Sequence, residues 1–291
     1  MNAIGIDLGG TQIKAVVVSK SGEVLRRELR ATNDDGTDGF AGAVRAVVEE
    51  LGRDLPLGLS APGLARADGR AIASMPGRMH GLEDLDWTSF LGRERPVPVM
   101  NDAHASLIGE AWTGAARGFR DVIMLTLGTG VGGAIISDGK LLRGHLGRGG
   151  HLGHTCVDFN EAPDDTGMRG SLEVFCGNQN VRERTGGRFA TTHELVAAYR
   201  SGDAEAEKCW LRSVRALACA IASFTNILDC EAAIIGGGIA QAGDALFTPL
   251  AGEIAKVEWR PLGHAVKLLP AMLGECAGAI GAARSALDPT H

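Results

Sequence analysis

Two glycine-rich turns, far apart in the chain, have the residue types of a phosphate-binding site. The first turn follows an apolar run that ends at Asp7, and its tip is Gly9-Gly10-Thr11. Glycines permit positive φ, so backbone N–H groups can approach a bulky anion, and the threonine hydroxyl adds a donor. Asp7 could hold a magnesium ion through water, because magnesium keeps much of its hydration shell. The tip of an ordinary β-hairpin would have the same residues, so the first turn alone leaves both interpretations open.

The second turn lies within residues 121–136 and repeats the order of the first: strand pattern, glycine-rich turn with a threonine, strand pattern. Two such hairpins, one in each half of the chain, would hold a polyphosphate from both sides of a cleft. The repetition therefore favours phosphate binding more strongly than either turn alone. The candidate residues of the second turn are Gly128, Thr129, Gly130, Gly132 and Gly133.

A candidate general base, Asp102, ends the strand pattern that begins at Val97 and precedes a predicted helix from Ala103 to Trp112. Capping of the helix would explain Asp102 structurally. Alternatively, Asp102 is a general base whose charged form is favoured by the helix N-terminus, and Asn101 binds a substrate hydroxyl. The sequence leaves these two roles open.

An irregular, glycine-rich loop contains His145, His151 and His154, with Cys156 close behind. These side chains could bind zinc, but no paired cysteines lie nearby, and recognition of hydroxyl groups by the imidazoles is the alternative that we favour. Glu173 follows at the start of a predicted helix. It either balances the helix dipole or binds substrate.

A third glycine-rich segment, Gly236-Gly237-Gly238, ends a buried strand pattern that starts at Ala232. Backbone without side chains would give a flat ligand, such as a purine and its ribose, room against the main chain. A tight turn would explain the glycines equally well.

The elements between these segments alternate between strand and helix patterns, which predicts an α/β protein with parallel crossovers. Each half of the chain opens with a hairpin, and a long helix that is apolar on one side forms the predicted core of the second half. The remaining predicted elements are a third antiparallel strand over 24–30, helices over 38–52, 192–200, 204–228, from about 244 and over 277–287, and a buried strand over 55–60.

Composition limits the classes of partner. The 291 residues are 45% hydrophobic, and 29 basic against 35 acidic residues give a net charge of −6 without a basic cluster. We therefore expect about two domains and neither nucleic-acid nor membrane binding. The absence of a signal-peptide pattern and of a spanning apolar run predicts a cytoplasmic protein. Six cysteines without a regular framework predict free thiols.

Taken together, the motifs resemble those of the ROK family of bacterial sugar kinases and related repressors, and the resemblance covers nearly the whole chain. The segments that carry it are Asp7-Leu8-Gly9-Gly10-Thr11, Asn101-Asp102-Ala103, Leu127–Gly133 and Gly236-Gly237-Gly238. The resemblance implies the actin-like, hexokinase-type ATPase fold, with two lobes, each a mixed sheet flanked by helices, and a cleft between them. We expect the lobes at 1–104 plus 276–291 and at 105–275.

By this resemblance, the protein transfers the γ-phosphoryl group of ATP, with Mg²⁺, to a sugar hydroxyl, most simply the 6-hydroxyl of a hexose, and forms a homodimer. Asp102 would take the hydroxyl proton, while Gly63, Asn101, His151, His154 and Glu173 would contact the sugar. The residues expected to bind the nucleotide are Asp7, Gly9, Gly10, Thr11, Gln12, Lys14, Gly128, Thr129, Gly130, Gly132, Gly133, Gly236, Gly237 and Gly238.

The chain departs from the family's pattern in one loop. The family uses a histidine and three cysteines there to bind structural zinc, but this chain has Asp164, Thr166 and Ser171 in the cysteine positions. We therefore expect no zinc and a loop ordered by hydrogen bonds and packing. His151 also replaces the family's sugar-binding glutamate, exchanging an acceptor for a group that can donate, so the accepted sugar could differ.

Two other functions remain open. The family's repressors bind sugar without catalysis, but they carry a helix-turn-helix ahead of the first strand, whereas the first strand here begins at Ala3. An ATPase of the actin or Hsp70 type would act on a protein partner instead. The sugar-site residues Asn101 and Asp102 count against that second alternative.

Overall fold

The computed structural model describes residues 1–32, 39–164 and 166–288, which form the α/β structure that the sequence predicts. The strands in these ranges are β1 Ala3–Leu8, β2 Gln12–Val18, β3 Val24–Ala31, β4 Leu57–Ala61, β5 Leu64–Ala65, β6 Ile72–Ser74, β7 Val99–Asn101, β8 Val122–Leu127, β9 Val131–Ser137, β10 Lys140–Leu141, β11 Ala232–Gly236 and β12 Lys267–Pro270. The helices are α1 Gly39–Gly52, α2 Trp87–Phe90, α3 Asp102–Thr113, α4 Leu172–Cys176, α5 Val181–Arg184, α6 Thr192–Arg200, α7 Ala204–Leu228, α8 Asp244–Val257 and α9 Ala277–Leu287. Residue 38, where the sequence places the start of the first helix, lies outside the described residues.

The first sheet has the strand order β3-β2-β1-β4-β7. The hairpin of β1 and β2 is antiparallel and places Asp7 opposite Lys14, and β4 joins β1 in parallel. Both the hairpin and the parallel crossover are therefore confirmed. Most residues of β3 are exposed or half-buried, as the charged residues of this edge strand predict.

Helix α9 packs directly on the backbone of this sheet. A Cβ atom added to Gly5 of β1 would lie 1.8 Å from the carbonyl oxygen of Ala279, and one added to Gly58 of β4 would lie 1.9 Å from that of Ala282. Only glycine fits at such distances, because any side chain would push the helix off the strands. The close packing of the last helix, expected from its Ala and Gly content, is confirmed.

Helix α3 is fixed to the same C-terminal segment. A Cβ atom added to Gly281 of α9 would lie 1.7 Å from the carbonyl oxygen of Ala105 in α3. Further along α3, the fully buried carboxylate of Glu110 accepts hydrogen bonds from the N–H groups of Met272 and Leu273, at 2.9 and 2.8 Å. A buried carboxylate needs such donors. These contacts set the position of α3 and therefore of Asp102 at its start.

The second sheet contains β9-β8-β11-β12 in this order. Strands β8 and β9 form the second predicted hairpin, and β11 lies parallel to both β8 and β12. The register of β8 and β11 pairs Gly236 with Thr126, so the triple-glycine segment begins beside the second turn. Both are therefore at one edge of the same sheet.

Helix α7 is the core helix of this second half, as predicted, and its buried residues include Trp210, Leu217 and Ile221. It packs against α4, α6 and α8. By length and composition alone α7 is also apolar enough to cross a membrane, and it is the one such helix among the described residues. Its extensive packing within the fold accounts for its apolar face.

Contacts within the chain define two compact units. Unit 1 comprises residues 1–118, 140–150 and 272–291, and unit 2 comprises residues 119–139 and 151–271. These limits differ from the lobes that we drew at residues 104 and 276. Because α3 packs on α9, it belongs with the first sheet rather than with the second.

Candidate functional site

The first turn is closed by backbone hydrogen bonds that leave its tip available. The N–H of Gly9 donates to the carbonyl of Gln12 at 3.0 Å, and the hydroxyl of Thr32 donates to the carbonyl of Gly9 at 2.5 Å. Within the described residues no acceptor takes the N–H groups of Gly10 and Thr11. Two adjacent N–H groups without acceptors are what an anion-binding turn requires.

Asp7 lies at the end of β1, next to this turn. The Ser60 hydroxyl donates to its carboxylate at 2.7 Å, and Lys14 is its partner across the hairpin. Burial raises the pKa of Asp7, while the Ser60 hydrogen bond and the charge of Lys14 act in the opposite direction. Gly278 at the start of α9 approaches so closely that an added Cβ would lie 2.9 Å from this carboxylate. Asp7 is thus held in one position.

The structure corrects the expected helix cap. Asn101, rather than Asp102, is the N-cap of α3, because its side-chain oxygen accepts from the N–H groups of Ala103 and His104 at 3.0 and 3.3 Å. Both residue types are good N-caps, and the first helical residue proved to be Asp102. Capping therefore does not explain Asp102, whose carboxylate is left for another role.

The electrostatics of Asp102 suit a proton acceptor. Loss of hydration within the surrounding protein raises the pKa of its carboxyl to about 6, and the like charge of Asp7 acts in the same direction. The N–H of Ala103, 2.8 Å from the carboxylate, opposes the shift. The Asp102 side chain nevertheless keeps access to solvent, so water screens part of this effect. A carboxylate of this kind accepts a proton more readily than an ordinary aspartate and is still ionised at neutral pH.

Asn101 is only 5% exposed, and both ends of its side-chain amide make hydrogen bonds. Besides capping α3, its amide nitrogen donates to the carbonyl of Gly63 at 2.9 Å. Gly63 has φ of +98°, and an added Cβ would lie 2.5 Å from the carbonyl oxygen of Ser74, so this position needs glycine. These contacts favour a positioning role for Asn101 over the predicted direct contact with substrate.

His104 of α3 contributes a contact that the sequence did not predict. Its side chain is 2% exposed, and its Nε2 lies 2.7 Å from the carbonyl oxygen of Gly149. This bond ties the glycine-rich loop of residues 144–150 to the helix that carries Asp102. His145 of the same loop is exposed.

The second turn is also closed by a hydrogen bond from its first glycine, but to the carbonyl two residues on rather than three. The N–H of Gly128 donates to the carbonyl of Gly130 at 2.9 Å, and the carbonyls of Gly128 and Thr129 accept from Asn178 and Gln179, each at 2.9 Å. No described acceptor takes the N–H groups of Thr129 and Gly130. The last two candidate glycines, Gly132 and Gly133, lie on β9, paired with β8.

Glu173 supports the second turn. One carboxylate oxygen accepts from the N–H of Val131 at 2.8 Å, and the other accepts from the side chain of Gln179 at 3.0 Å. A Cβ added to Gly130 would lie 2.2 Å from the first of these oxygens. The geometry therefore favours positioning of the turn by Glu173 over the predicted contact with sugar.

The triple-glycine segment meets the second turn directly. Gly237 has φ of +84°, and an added Cβ would lie 2.3 Å from the carbonyl oxygen of Leu127, the last residue before the turn. Gly238 has no atom within 4 Å of an added Cβ and therefore faces open space. An added Cβ on Gly236 would be 2.9 Å from the Met124 side chain.

A cavity of about 420 Å³ opens between these two segments, entirely within unit 2. A volume of this order suits a nucleoside-sized ligand. Gly128, Thr129 and Gly238 line it, so the structure brings together two motifs predicted to bind one nucleotide. The sequence did not single out the other polar residues of the lining, which are Asn178, Thr191, Thr192, His193, Arg200 and Gln241.

Thr192 is the most informative of these additional residues. It is 4% exposed, and its hydroxyl has no hydrogen-bond partner among the described residues. A buried hydroxyl without a partner costs stability, so its presence at a cavity wall suggests a functional constraint. Thr192 begins α6, a helix that was predicted, but nothing in its local sequence indicates a ligand.

The two remaining candidate sugar ligands, His151 and His154, lie close together. Their rings are stacked, with centroids 6.4 Å apart and planes at 8°. Burial and the nearby charge of His154 lower the pKa of His151. His151 is therefore neutral at physiological pH and can both donate and accept a hydrogen bond.

The loop without cysteines is organised by Asp164. Its carboxylate accepts from the backbone and hydroxyl of Thr166 at 2.9 and 2.6 Å, from the N–H of Met168 at 3.1 Å, and from the Ser171 hydroxyl at 2.7 Å. Burial opposes the effect, but these hydrogen bonds together lower the pKa of Asp164. The three residues that we expect in the family's cysteine positions thus bond to one another. They do not fit a zinc ion, because the two hydroxyls are poor zinc ligands.

No group of three or more His, Cys, Asp or Glu side chains suited to a metal ion occurs in the described part of the chain. A magnesium ion bound together with a nucleotide does not need such a group, because phosphate oxygens and water complete its ligands. Asp7 fits that requirement: it offers carboxylate oxygens, and burial together with the nearby Asp102 gives it an electrostatic reason to bind a cation.

Comparison with known proteins agrees with these motifs. The chain is 31% identical to a glucokinase of Thermotoga maritima, covering 97% of this chain and 96% of the relative. It is 30% identical to an N-acetylmannosamine kinase of Escherichia fergusonii, with 97% of each covered. A crystal structure of a ROK family glucokinase from Streptomyces griseus, in complex with glucose and AMPPNP, superposes with a TM-score of 0.80 at 29% identity and 98% coverage of both chains.

This structural match confirms the fold that the resemblance implied. The model of the ROK family matches residues 3–288, which include all the segments described above. The chain therefore belongs to the ROK family.

Proposed function

We propose that the protein is an ATP-dependent sugar kinase that transfers the γ-phosphoryl group to a hydroxyl of a hexose or hexose derivative. The observation that carries this proposal is the environment of Asp102. It is a solvent-accessible carboxylate with a pKa of about 6, on a helix packed closely against α9, and Gly278 of α9 in turn contacts Asp7 beside the first turn. The kinase activities of the relatives and the glucose and AMPPNP bound to the structural neighbour agree with it.

ATP binding is assigned to both turns and to the cavity of unit 2. The adenosine occupies the cavity, where Gly238 leaves open space beside Gly128 and Thr129 of the second turn. The N–H groups at the tips of the two turns bind phosphate oxygens. Phosphoryl transfer depends mainly on alignment and charge neutralisation, which these fixed donors provide.

Asp102 takes the proton of the attacking sugar hydroxyl. A base within hydrogen-bond reach contributes roughly 10²–10⁴-fold to such a reaction. Asp7 holds the magnesium ion that accompanies ATP, through water, and this ion supplies positive charge to the phosphates. Asn101 and Ser60 act indirectly, because they fix the positions of the two aspartates.

The primary 6-hydroxyl of a hexose is the acceptor that we favour, because it is the least hindered hydroxyl of the sugar. The imidazoles of His151 and His154 are proposed to bind the sugar's other hydroxyls. Since His151 is neutral and can donate, it suits a hydroxyl oxygen better than a carboxylate would.

The test is a coupled ADP-release assay with ATP and Mg²⁺, run without sugar and with glucose, N-acetylmannosamine and their epimers. We expect ADP release to rise on addition of one of these sugars, and NMR of the product to place the phosphate on the 6-oxygen. Equal ADP release with and without every sugar would contradict the proposal and favour an ATPase that acts on a different partner.

The variant His151→Glu tests the assignment of the sugar site. We expect it to change the ranking of the sugars, measured as kcat/KM, while the KM for ATP stays the same. An unchanged ranking would remove His151 from sugar recognition without affecting the assignment of the kinase activity.

A further inference from the structure

Arg78 lies against the first turn, although it is distant from that turn in sequence. It belongs to a glycine-rich segment, Pro76-Gly77-Arg78, at the end of the short strand β6. A Cβ atom added to Gly10 would lie 2.0 Å from Nη2 of Arg78 and 3.0 Å from its Cζ. The end of the guanidinium therefore occupies the space that any side chain at position 10 would need.

The positive charge of Arg78 lies at the surface of unit 1. The residue is exposed, and within the described residues no carboxylate lies within 4 Å of its guanidinium. By contrast, Arg66, in the same region of unit 1, is paired with both Asp68 and Asp84. A cation beside two N–H groups without acceptors makes the tip of the first turn a strongly anion-binding surface.

The geometry of the guanidinium indicates which anion it would bind. Its planar set of N–H donors matches the oxygens of a phosphate and can bond to two of them at once. It stands at Gly10, the residue whose N–H is also available. One phosphate group could thus accept from the backbone of the turn and from the side chain together.

We infer that Arg78 is a catalytic residue that binds the γ-phosphate of ATP and stabilises it during transfer. This inference rests on the proposed kinase function. In the reaction the bond from the γ-phosphorus to the oxygen that bridges it to the β-phosphate breaks, and a bond to the sugar oxygen forms. The proton of the sugar hydroxyl goes to Asp102, and ADP leaves with the bridging oxygen. Arg78 donates to the equatorial oxygens of the phosphoryl group, where charge is spread in the transition state.

The contact between position 10 and Arg78 offers a second way to disturb the arginine. Gly10 does not have φ in the left-handed region, so its backbone conformation tolerates other residues. An added Cβ would meet the guanidinium at 2.0 Å, and this exposed, flexible side chain would have to move aside. Gly10→Ala would therefore displace Arg78 and is expected to reproduce part of the effect of removing the arginine.

The first experiment measures binding without turnover. Isothermal titration of wild type, Arg78→Ala and Arg78→Lys with AMPPNP and with ADP, both with Mg²⁺, separates the γ-phosphate from the rest of the nucleotide. We expect Arg78→Ala to weaken AMPPNP binding by ~10-fold or more, on the scale of a lost charge-assisted bond, and to change ADP binding less than about twofold. Arg95→Ala, which removes an exposed arginine elsewhere in unit 1, is the matched control and should match wild type for both nucleotides.

The second experiment measures kcat with the sugar that wild type phosphorylates fastest. Arg78→Ala should lower kcat by ~10³-fold, at the low end for arginines that contact a transferring phosphoryl group, with the KM for sugar unchanged. Arg78→Lys should recover part of the lost kcat, because it keeps the positive charge. Equal losses of AMPPNP and ADP affinity, or a normal kcat in Arg78→Ala, would overturn the inference.

The two experiments distinguish failure of the inference from failure of the proposed function. If no sugar stimulates ADP release by wild type, the kinase proposal fails, whereas the comparison of AMPPNP with ADP still reports whether Arg78 binds the γ-phosphate. If wild type is an active kinase and the variant binds both nucleotides normally, the inference alone fails.

Discussion

The two glycine-rich turns have the same backbone plan but different surroundings. In each, the N–H of the first glycine closes the turn, and the next two N–H groups have no acceptor among the described residues. The first turn is bordered by Arg78, Asp7 and Lys14, which are charged. The second is held by Glu173 and opens onto a cavity.

This difference is consistent with nucleoside binding in unit 2 and with the reacting groups in unit 1. The second turn and its cavity have the shape to hold a nucleoside, and the carboxylate of Glu173 at the turn is already engaged by Val131 and Gln179. The first turn has charged side chains around it, and unit 1 also contains Asp102, whose pKa is raised. The repeated hairpin thus presents N–H groups without described acceptors in both units, while the residues around each turn differ.

The largest predicted effect is on unit 2. Gly237→Ala should lower the free energy of unfolding by roughly 2–4 kcal/mol, because the new Cβ would meet the backbone of Leu127 at 2.3 Å in a left-handed conformation. Thermal unfolding would measure the loss of stability, and titration with ADP would show whether the nucleotide still binds. The control is Gly252→Ala in α8, where an added Cβ meets nothing within 4 Å and helix propensity predicts a gain of about 0.5–1 kcal/mol. Equal midpoints for the two variants would contradict the packing described here.

The next prediction is the pH dependence of kcat/KM, which depends on Asp102 of unit 1. Because Asp102 must be ionised to accept a proton, kcat/KM should fall about tenfold per pH unit below its pKa of about 6 and level off above it. A pH profile with the preferred sugar measures this limb. His193→Gln, which changes a residue lining the cavity of unit 2, is the control and should keep the same pH profile. A profile that stays flat down to pH 5 would exclude this role for Asp102.

A third prediction concerns the loop after the second hairpin. Asp164→Ala removes four hydrogen bonds to one carboxylate and should cost roughly 2 kcal/mol of stability. Adding EDTA should change the thermal midpoint of neither wild type nor the variant. A drop in the wild-type midpoint with EDTA would show that a metal ion orders this loop after all.

The smallest effect is a gain in stability. Because the pKa of Asp102 is raised in the folded state, the folded protein binds that proton more tightly, and wild type loses stability as pH rises from about 4 to about 6. Asp102→Asn should therefore be more stable than wild type at pH 7.5, by about 1 kcal/mol since solvent screens the carboxylate, and equal to it near pH 4. A variant less stable at pH 7.5 would reverse this sign.

Much of this comparison could be predicted from the sequence, because its basis is local. Apolar runs interrupted by Gly9 and Gly10, or by Gly128 and Gly130, predict hairpins directly, and both were found with the expected pairing. The alternation of helix and strand patterns likewise predicted the parallel crossover into β4. Short-range periodicity fixes such elements.

What could not be predicted depends on contacts between distant residues. Arg78 and Gly10 meet only because the fold brings β6 near the first turn, and Thr192 belongs to a cavity lining formed by four separate segments. The exchange of roles between Asn101 and Asp102 has a different cause. Asn101 and Asp102 are adjacent and have similar capping tendencies. Local sequence does not resolve which of them is the N-cap, because helix starts are uncertain by one or two residues.

The most direct test of the central claim compares binding with turnover in Asp102→Asn. With the preferred sugar, the account predicts a fall in kcat of at least ~100-fold, while titration shows sugar and AMPPNP affinities close to those of wild type. The amide preserves the shape of the site but cannot take the hydroxyl proton. Near-normal turnover in this variant would contradict the account, because phosphoryl transfer would then not depend on Asp102.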